Sequence, residues 1–202
     1  MPITIPSRDL TIERKRDVRE FTLNAGIANA KHLGLCVSSE ELSVRDLNPE
    51  DLGKRSWATP EVKADIFTPW IDGIISNTVL CIYKVLQLSA APTTCTLRFQ
   101  RNGTVIGLHE LENCYSGLPI MQAFWETAMS KEAKEVMDRL LGRDDIEVSP
   151  DFGSPMEAYF SEPHIFNLQD YIHIDVKSRT DSPGDYLVLG GYALERRGVT
   201  VA

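Results

Sequence analysis

The sequence predicts a mainly β chain: an antiparallel β-sandwich with one long inserted amphipathic helix and an extended, partly helical N-terminal arm. Three observations predict it. Asn102-Gly103 stands between two runs that alternate apolar and polar residues, ending at Thr94 and Leu111. Ile172, Ile174 and Val176 alternate with Tyr171, His173, Asp175 and Lys177, and the turn Asp181-Ser-Pro-Gly184 follows. A single long stretch of 3.6-residue period lies between these regions. Short strands joined by tight turns, with one helix between hairpins, favour an antiparallel sandwich over a parallel α/β sheet.

Residues 1–70 read as the arm. They are polar and punctuated by Pro49, Pro60 and Pro69. Leu10 to Leu23 predicts a short helix, Ala25 to Leu35 is rich in small residues with Gly26 and Gly34, and Ser39 to Leu47 predicts a brief capped turn ahead of Asn48-Pro49. No segment there predicts a core of its own. An extension of this length is expected either to wrap a neighbour or the domain itself, or to be partly disordered alone.

Residues 71–202 read as the sandwich. Ile74 to Leu88 is β-rich and apolar on both faces, as a central strand requires, and Ser89 to Thr94 turns the chain into the hairpin. A two-residue type I′ loop needs positive φ at both central positions, which Asn and Gly tolerate best. Counting outward from the turn, Arg101 faces Thr104, Phe99 meets Ile106, Leu97 meets Leu108 and Cys95 meets Glu110. That register buries Leu97, Phe99, Ile106 and Leu108. It leaves Thr96, Arg98, Gln100 and His109 on a polar outer face, the candidate assembly surface.

The helix is expected over about 119–141. Pro119 sits at its first turn, Met121, Phe124, Trp125, Ala128, Met129, Val136 and Leu140 keep the period, and Gly142 caps the end. Lys131 with Glu135 and Lys134 with Asp138 mark its solvent side. Tyr186 to Leu194 is expected to pair with the strand before it, and Gly190-Gly191 marks a bulge or a close backbone approach.

Composition suits one globular unit: 202 residues, 43% hydrophobic and 25% charged. A net charge of −8 opposes a phosphate-neutralising role, so no nucleic-acid partner is expected. The basic cluster Arg14, Lys15, Arg16 and Arg19 is interleaved with Glu13, Asp17 and Glu20 and reads as a solvated surface. Cys36, Cys81, Cys95 and Cys114 form no C-x-x-C pair, and Cys81 and Cys95 read as small core residues in strands. The N-terminus lacks a basic region followed by an apolar run, and Asp72, Asn77 and Lys84 interrupt the most apolar window. No secretion or membrane partner is expected.

Catalytic motifs fail on geometry. His109-Glu110-Leu111-Glu112-Asn113 opens like H-E-x-x-H, but Asn113 occupies the second ligand position and the segment reads as strand. A barrel-type metal site would join His109 to His164 or His173, yet the predicted register turns His109 and His173 away from the core. Asp151-Phe-Gly153 lacks every companion motif of a kinase, and there is no G-x-S-x-G or phosphate-binding glycine loop. Asp144-Asp145 and Glu110 with Glu112 carry no positional support as acid and base. Asn102-Gly-Thr104 is a formal glycosylation sequon already explained by the turn. Tyr159, Phe160, Phe166, Tyr171, Tyr186 and Tyr192 suggest either core packing or stacking on sugars. No catalytic residue, cofactor or metal is expected.

The arm, the jelly-roll-like β region with its inserted helix, and the closing segment Tyr186-Leu-Val-Leu-Gly-Gly-Tyr-Ala-Leu-Glu195 together resemble the single jelly-roll cement or decoration proteins of tailed bacteriophage capsids. The resemblance covers Ile74 to Val201 and rests on organisation. It implies a non-enzymatic virion protein on the capsid surface, made in the host cytoplasm. It also implies homo-oligomers, dimers or trimers, whose arms clamp the major capsid protein or other virion subunits. The alternatives are a carbohydrate- or receptor-binding jelly-roll module and, further off, a cupin-type metalloenzyme using His109, His164 and Glu110.

Overall fold

The computed structural model describes residues 2–7, 10–87, 95–111, 157–184 and 187–197. The helix expected over 119–141, Cys114, the Asp151-Phe-Gly153 tripeptide, the Asp144-Asp145 pair, Glu112 and Tyr186 lie outside them. The described chain is mainly β: helix α1 (Ile12–His32) and strands β1 (Leu42–Asp46), β2 (Thr68–Ile74), β3 (Thr78–Gln87), β4 (Cys95–Arg101), β5 (Thr104–Leu111), β6 (Glu157–Phe166), β7 (Tyr171–Ser178) and β8 (Leu187–Arg196). Two four-stranded antiparallel sheets, in the orders β1-β8-β3-β6 and β2-β7-β4-β5, make a β-sandwich.

The pairing is nested about one turn. β4 pairs β5, β3 pairs β6, β2 pairs β7 and β1 pairs β8, every pair antiparallel. At the centre is the Asn102-Gly103 turn, with φ of 52° and 78° as a type I′ loop requires. The β3·β8 and β4·β7 contacts then complete the two sheets. β8 therefore does not pair with the strand before it, as expected from sequence. The chain crosses to the other sheet after the turn at residues 181–184, because β7 is already flanked by β2 and β4.

The main core lies between the sheets and is built from Trp70, Ile71, Leu80, Ile82, Leu97, Phe99, Phe160, Phe166, Ile172, Ile174 and Leu189, all at most 2% exposed. Residues before 70 also contribute to it. β1 is an integral strand beside β8, and Leu47, Leu52, Trp57 and Val62 are buried in the same core. Each aliphatic side chain so buried contributes about 1.5–3 kcal/mol, enough to hold an irregular segment down without long strands. Asn48 caps the short 3-10 turn Pro49–Leu52, with Asp51 accepting from its backbone N–H at 2.8 Å.

The two short pieces expected within 10–35 are one helix. Thr11 caps its start, and Gly34, at φ 72°, closes its end where Leu35 N–H donates to the Ala30 carbonyl at 2.9 Å. Its buried face is Thr22, Gly26 and Ala30, so backbone, not bulk, approaches the outer face of β3 and β8. A Cβ on Gly26 would stand 2.6 Å from Cys81 Sγ. Burial pushes the Cys81 thiol up to about 12, consistent with a core residue.

Candidate functional site

Residues 2–7 run along the side of the sandwich where β5 ends one sheet and β6 the other. Thr4 N–H donates to the Leu108 carbonyl at 2.9 Å, and Glu110 N–H donates to the Thr4 carbonyl at 3.0 Å. Three residues on, Ser7 and Tyr159 exchange both backbone bonds, at 2.8 and 2.7 Å. One short segment thus satisfies parts of two strand edges that would otherwise invite pairing with other chains.

Beneath this seam lies a buried pair of imidazoles. His109 Nε2 and His164 Nε2 are 2.6 Å apart, and Thr4 Oγ1 is 2.7 Å from His109 Nδ1. The Phe99 ring stacks on His164 with centroids 4.3 Å apart, and Phe160 lies 4.4 Å from His109. Gly107 is what makes room: a Cβ there would fall 2.4 Å from His164 Cε1 and 2.7 Å from His109 Nε2. Burial lowers His109 to about 4, and burial with the neighbouring His109 charge lowers His164 to about 3. At neutral pH both rings are uncharged, and the 2.6 Å contact carries one proton: one Nε2 donates and the other accepts.

The sequence places His109 on the outer polar face; the structure turns it inward. A β-bulge is the reason. Gln100 pairs with Val105 but Phe99 pairs with Gly107, so Ile106 is extra and every later residue of β5 changes face. Leu97 consequently opposes His109 and Cys95 opposes Leu111, while Leu97 and Phe99 stay buried as expected. The run Val105-Ile106-Gly107-Leu108 puts apolar residues in both phases, so alternation alone does not fix the register. Gly107 is the one sequence signal of a close approach.

The other three residues of the expected assembly surface keep the outer face of the β2-β7-β4-β5 sheet, but neighbours already engage two of them. Arg98 Nε and Gln100 Nε2 donate to Asp175 Oδ2 at 2.7 and 2.8 Å, and His173 Nε2 lies 2.7 Å from Asp175 Oδ1. Asp175 is 1% exposed. The Arg98 guanidinium also lies 4.0 Å from the Phe67 ring centroid, and Thr96 is buried. Past Asp175, His173 Nδ1 lies 3.3 Å from Asp72 Oδ1, which also accepts from the Tyr171 hydroxyl. The Asp175 network gives no simple period signal, because it needs three strands in register.

Of the residues weighed for a metal, the structure joins His109 to His164, leaves His173 on the outer face and pairs Glu110 with Arg179. Among the described residues no group of three or more His, Cys, Asp and Glu is placed to hold a metal. Two ligand bonds of about 2.0–2.1 Å to zinc need more space than nitrogens already in direct contact leave. Of the aromatic set weighed for sugar stacking, Tyr159, Phe160 and Phe166 are buried, and Tyr171 is exposed beside His173. The chain matches no protein-family model, no curated protein and no solved structure.

Proposed function

We propose that the protein is a non-enzymatic structural component of a virion, a cement or decoration subunit built on a jelly roll. The observation that carries this reading is the nested strand pairing. A long hairpin folded at Asn102-Gly103, with strands 1 to 8 paired outermost to innermost, rolls into two sheets when the β3·β8 and β4·β7 contacts form. This nesting supports a jelly-roll plan, an architecture that capsid proteins, lectins and cupins use. Direct contact between His109 and His164 supports a packing role over a cupin metal site. The aromatic burial weakens the sugar-binding alternative.

The arm narrows on this reading to residues 2–7, which make strand-type bonds with two edges. Subunits of a shell gain from such a segment because many modest contacts are multiplied by valency. Light scattering of the purified chain tests the proposal: a dimer or trimer is expected, and a strict monomer at tens of micromolar overturns it. Limited proteolysis separates the role of the arm. Residues 2–7 become better protected on assembly if they contact neighbours, and equal protection in both states assigns them to the subunit alone.

A further inference from the structure

We propose that Lys15, Arg19 and Lys84, grouped around Glu157 and a row of tyrosines beneath the N-terminal half of α1, bind a tetrahedral oxyanion: the phosphate or sulfate group of a small ligand. This goes beyond the structural role. The ligand class follows from an unbalanced charge in a secluded place.

Glu157 accepts from Lys84 Nζ at 2.5 Å and from the Tyr159 hydroxyl at 3.0 Å. Lys15 reaches the same carboxylate only at 3.9 Å, outside hydrogen-bond range, and among the described residues it has no other ion-pair partner. Yet the Lys15 and Lys84 side chains are only 13% and 12% exposed. Both ammonium groups lie over one ring, 5.6 and 5.8 Å from the Tyr159 centroid. Arg19 stands one helical turn beyond Lys15, on the side of Tyr83, Tyr159 and Tyr192. Among the described residues, Lys15 and Lys84 thus share one carboxylate, with Arg19 a helical turn along α1, in a chain whose net charge is −8. Two secluded ammonium groups sharing one carboxylate are only partly compensated, and the one outside hydrogen-bond range keeps donors free for a ligand.

The cluster is held by features that do not serve the core. β3 carries a bulge where Ile82 pairs with Gly191 and Lys84 with Gly190, so Tyr83 and Lys84, adjacent in sequence, both reach Tyr159. A Cβ on Gly190 would stand 2.5 Å from Lys84 Cγ, so the glycine lets the lysine stem lie flat across β8 and aims its head at Glu157. Tyr83 also lies 5.5 Å from Tyr192, extending the row across three strands. Phosphate and sulfate suit such a site because they take several charge-assisted hydrogen bonds from lysine and arginine at once.

Thermal unfolding in inorganic phosphate or sulfate, against chloride at equal ionic strength, tests the site. At roughly tenfold excess over Kd the midpoint should rise by about 3–5 °C. K15M should weaken phosphate binding about tenfold in calorimetric titration, and E157Q, which removes the competing carboxylate, should tighten it. R19M, at an exposed position, gives the same test should K15M fail to fold. Indifference of the wild type to phosphate and sulfate, or a response that survives both K15M and R19M, overturns the proposal. Phosphoserine as a further probe separates the sources: a response matching phosphate points to a monoester on a larger molecule, and a response to the inorganic ions alone points to a free ion.

Discussion

His109 and His164 touch through their Nε2 atoms at 2.6 Å, with burial lowering both and no described carboxylate in reach of either. Unfolding exposes two ordinary imidazoles near 6.5, so below that value the unfolded chain binds protons that the folded pair refuses. Stability is complete above about pH 6.5 and falls as pH drops toward about 4. The loss from His109 alone is about 3 kcal/mol. Urea unfolding across pH 4–7 measures it, and H109F together with H164F should flatten the profile in that range. An unchanged slope in the double variant would assign the acid sensitivity elsewhere.

Gly107 is the second handle on the pair. G107A should cost about 1–3 kcal/mol, because the added methyl meets two imidazoles that have no room to retreat. The diagnosis is a double-mutant cycle: H164A should recover a large part of the G107A penalty. Additive effects would show that the methyl disturbs the bulge and not the ring.

Asp175 ties β4 to β7 through one carboxylate, which engages Arg98, Gln100 and His173. D175A leaves Arg98 and Gln100 without their acceptor and should cost about 3 kcal/mol in equilibrium unfolding. R98A should cost less, since the carboxylate keeps Gln100 and His173. Equal losses would mean that the carboxylate acts only through Arg98.

Asn102 does more than turn the chain. Its side-chain amide donates to Asp170 Oδ1 at 2.7 Å and its side-chain carbonyl accepts from Tyr171 N–H at 2.8 Å, so the tip of the hairpin is tied to the turn before β7. N102G keeps positive φ but loses both bonds and should cost about 1–2 kcal/mol. N102A should cost more, having neither the bonds nor the easy backbone geometry. A stability for N102G equal to wild type would reduce the residue to its turn role.

The sequence makes the sandwich legible where period and punctuation agree. Ile172, Ile174 and Val176 are buried as their alternation requires, Asn102-Gly103 turns as its φ preference requires, and Gly190-Gly191 does mark the bulge opposite Tyr83. The phase of β5 is illegible because apolar residues stand in both phases, Ile106 and Leu108 in one and Val105 and Leu111 in the other, and a single bulge moves His109 across the sheet. α1 hides its packing face in Thr22, Gly26 and Ala30, residues too small to register as an apolar stripe. The seam depends on Thr4 meeting His109 across more than a hundred residues, a relation no local pattern carries.

The nested order also governs when the molecule can be finished. β8 is the last described strand to be synthesised, yet it lies in the interior of its sheet, between β1 and β3. Until it arrives, β1 has no neighbour and β3 has only β6. The ribosome must deliver almost every strand before that sheet can close, so final folding follows translation of β8, and early strand edges stay available to other nascent chains. High contact order makes this closure slow, and crowded synthesis is where the protein meets its greatest aggregation hazard.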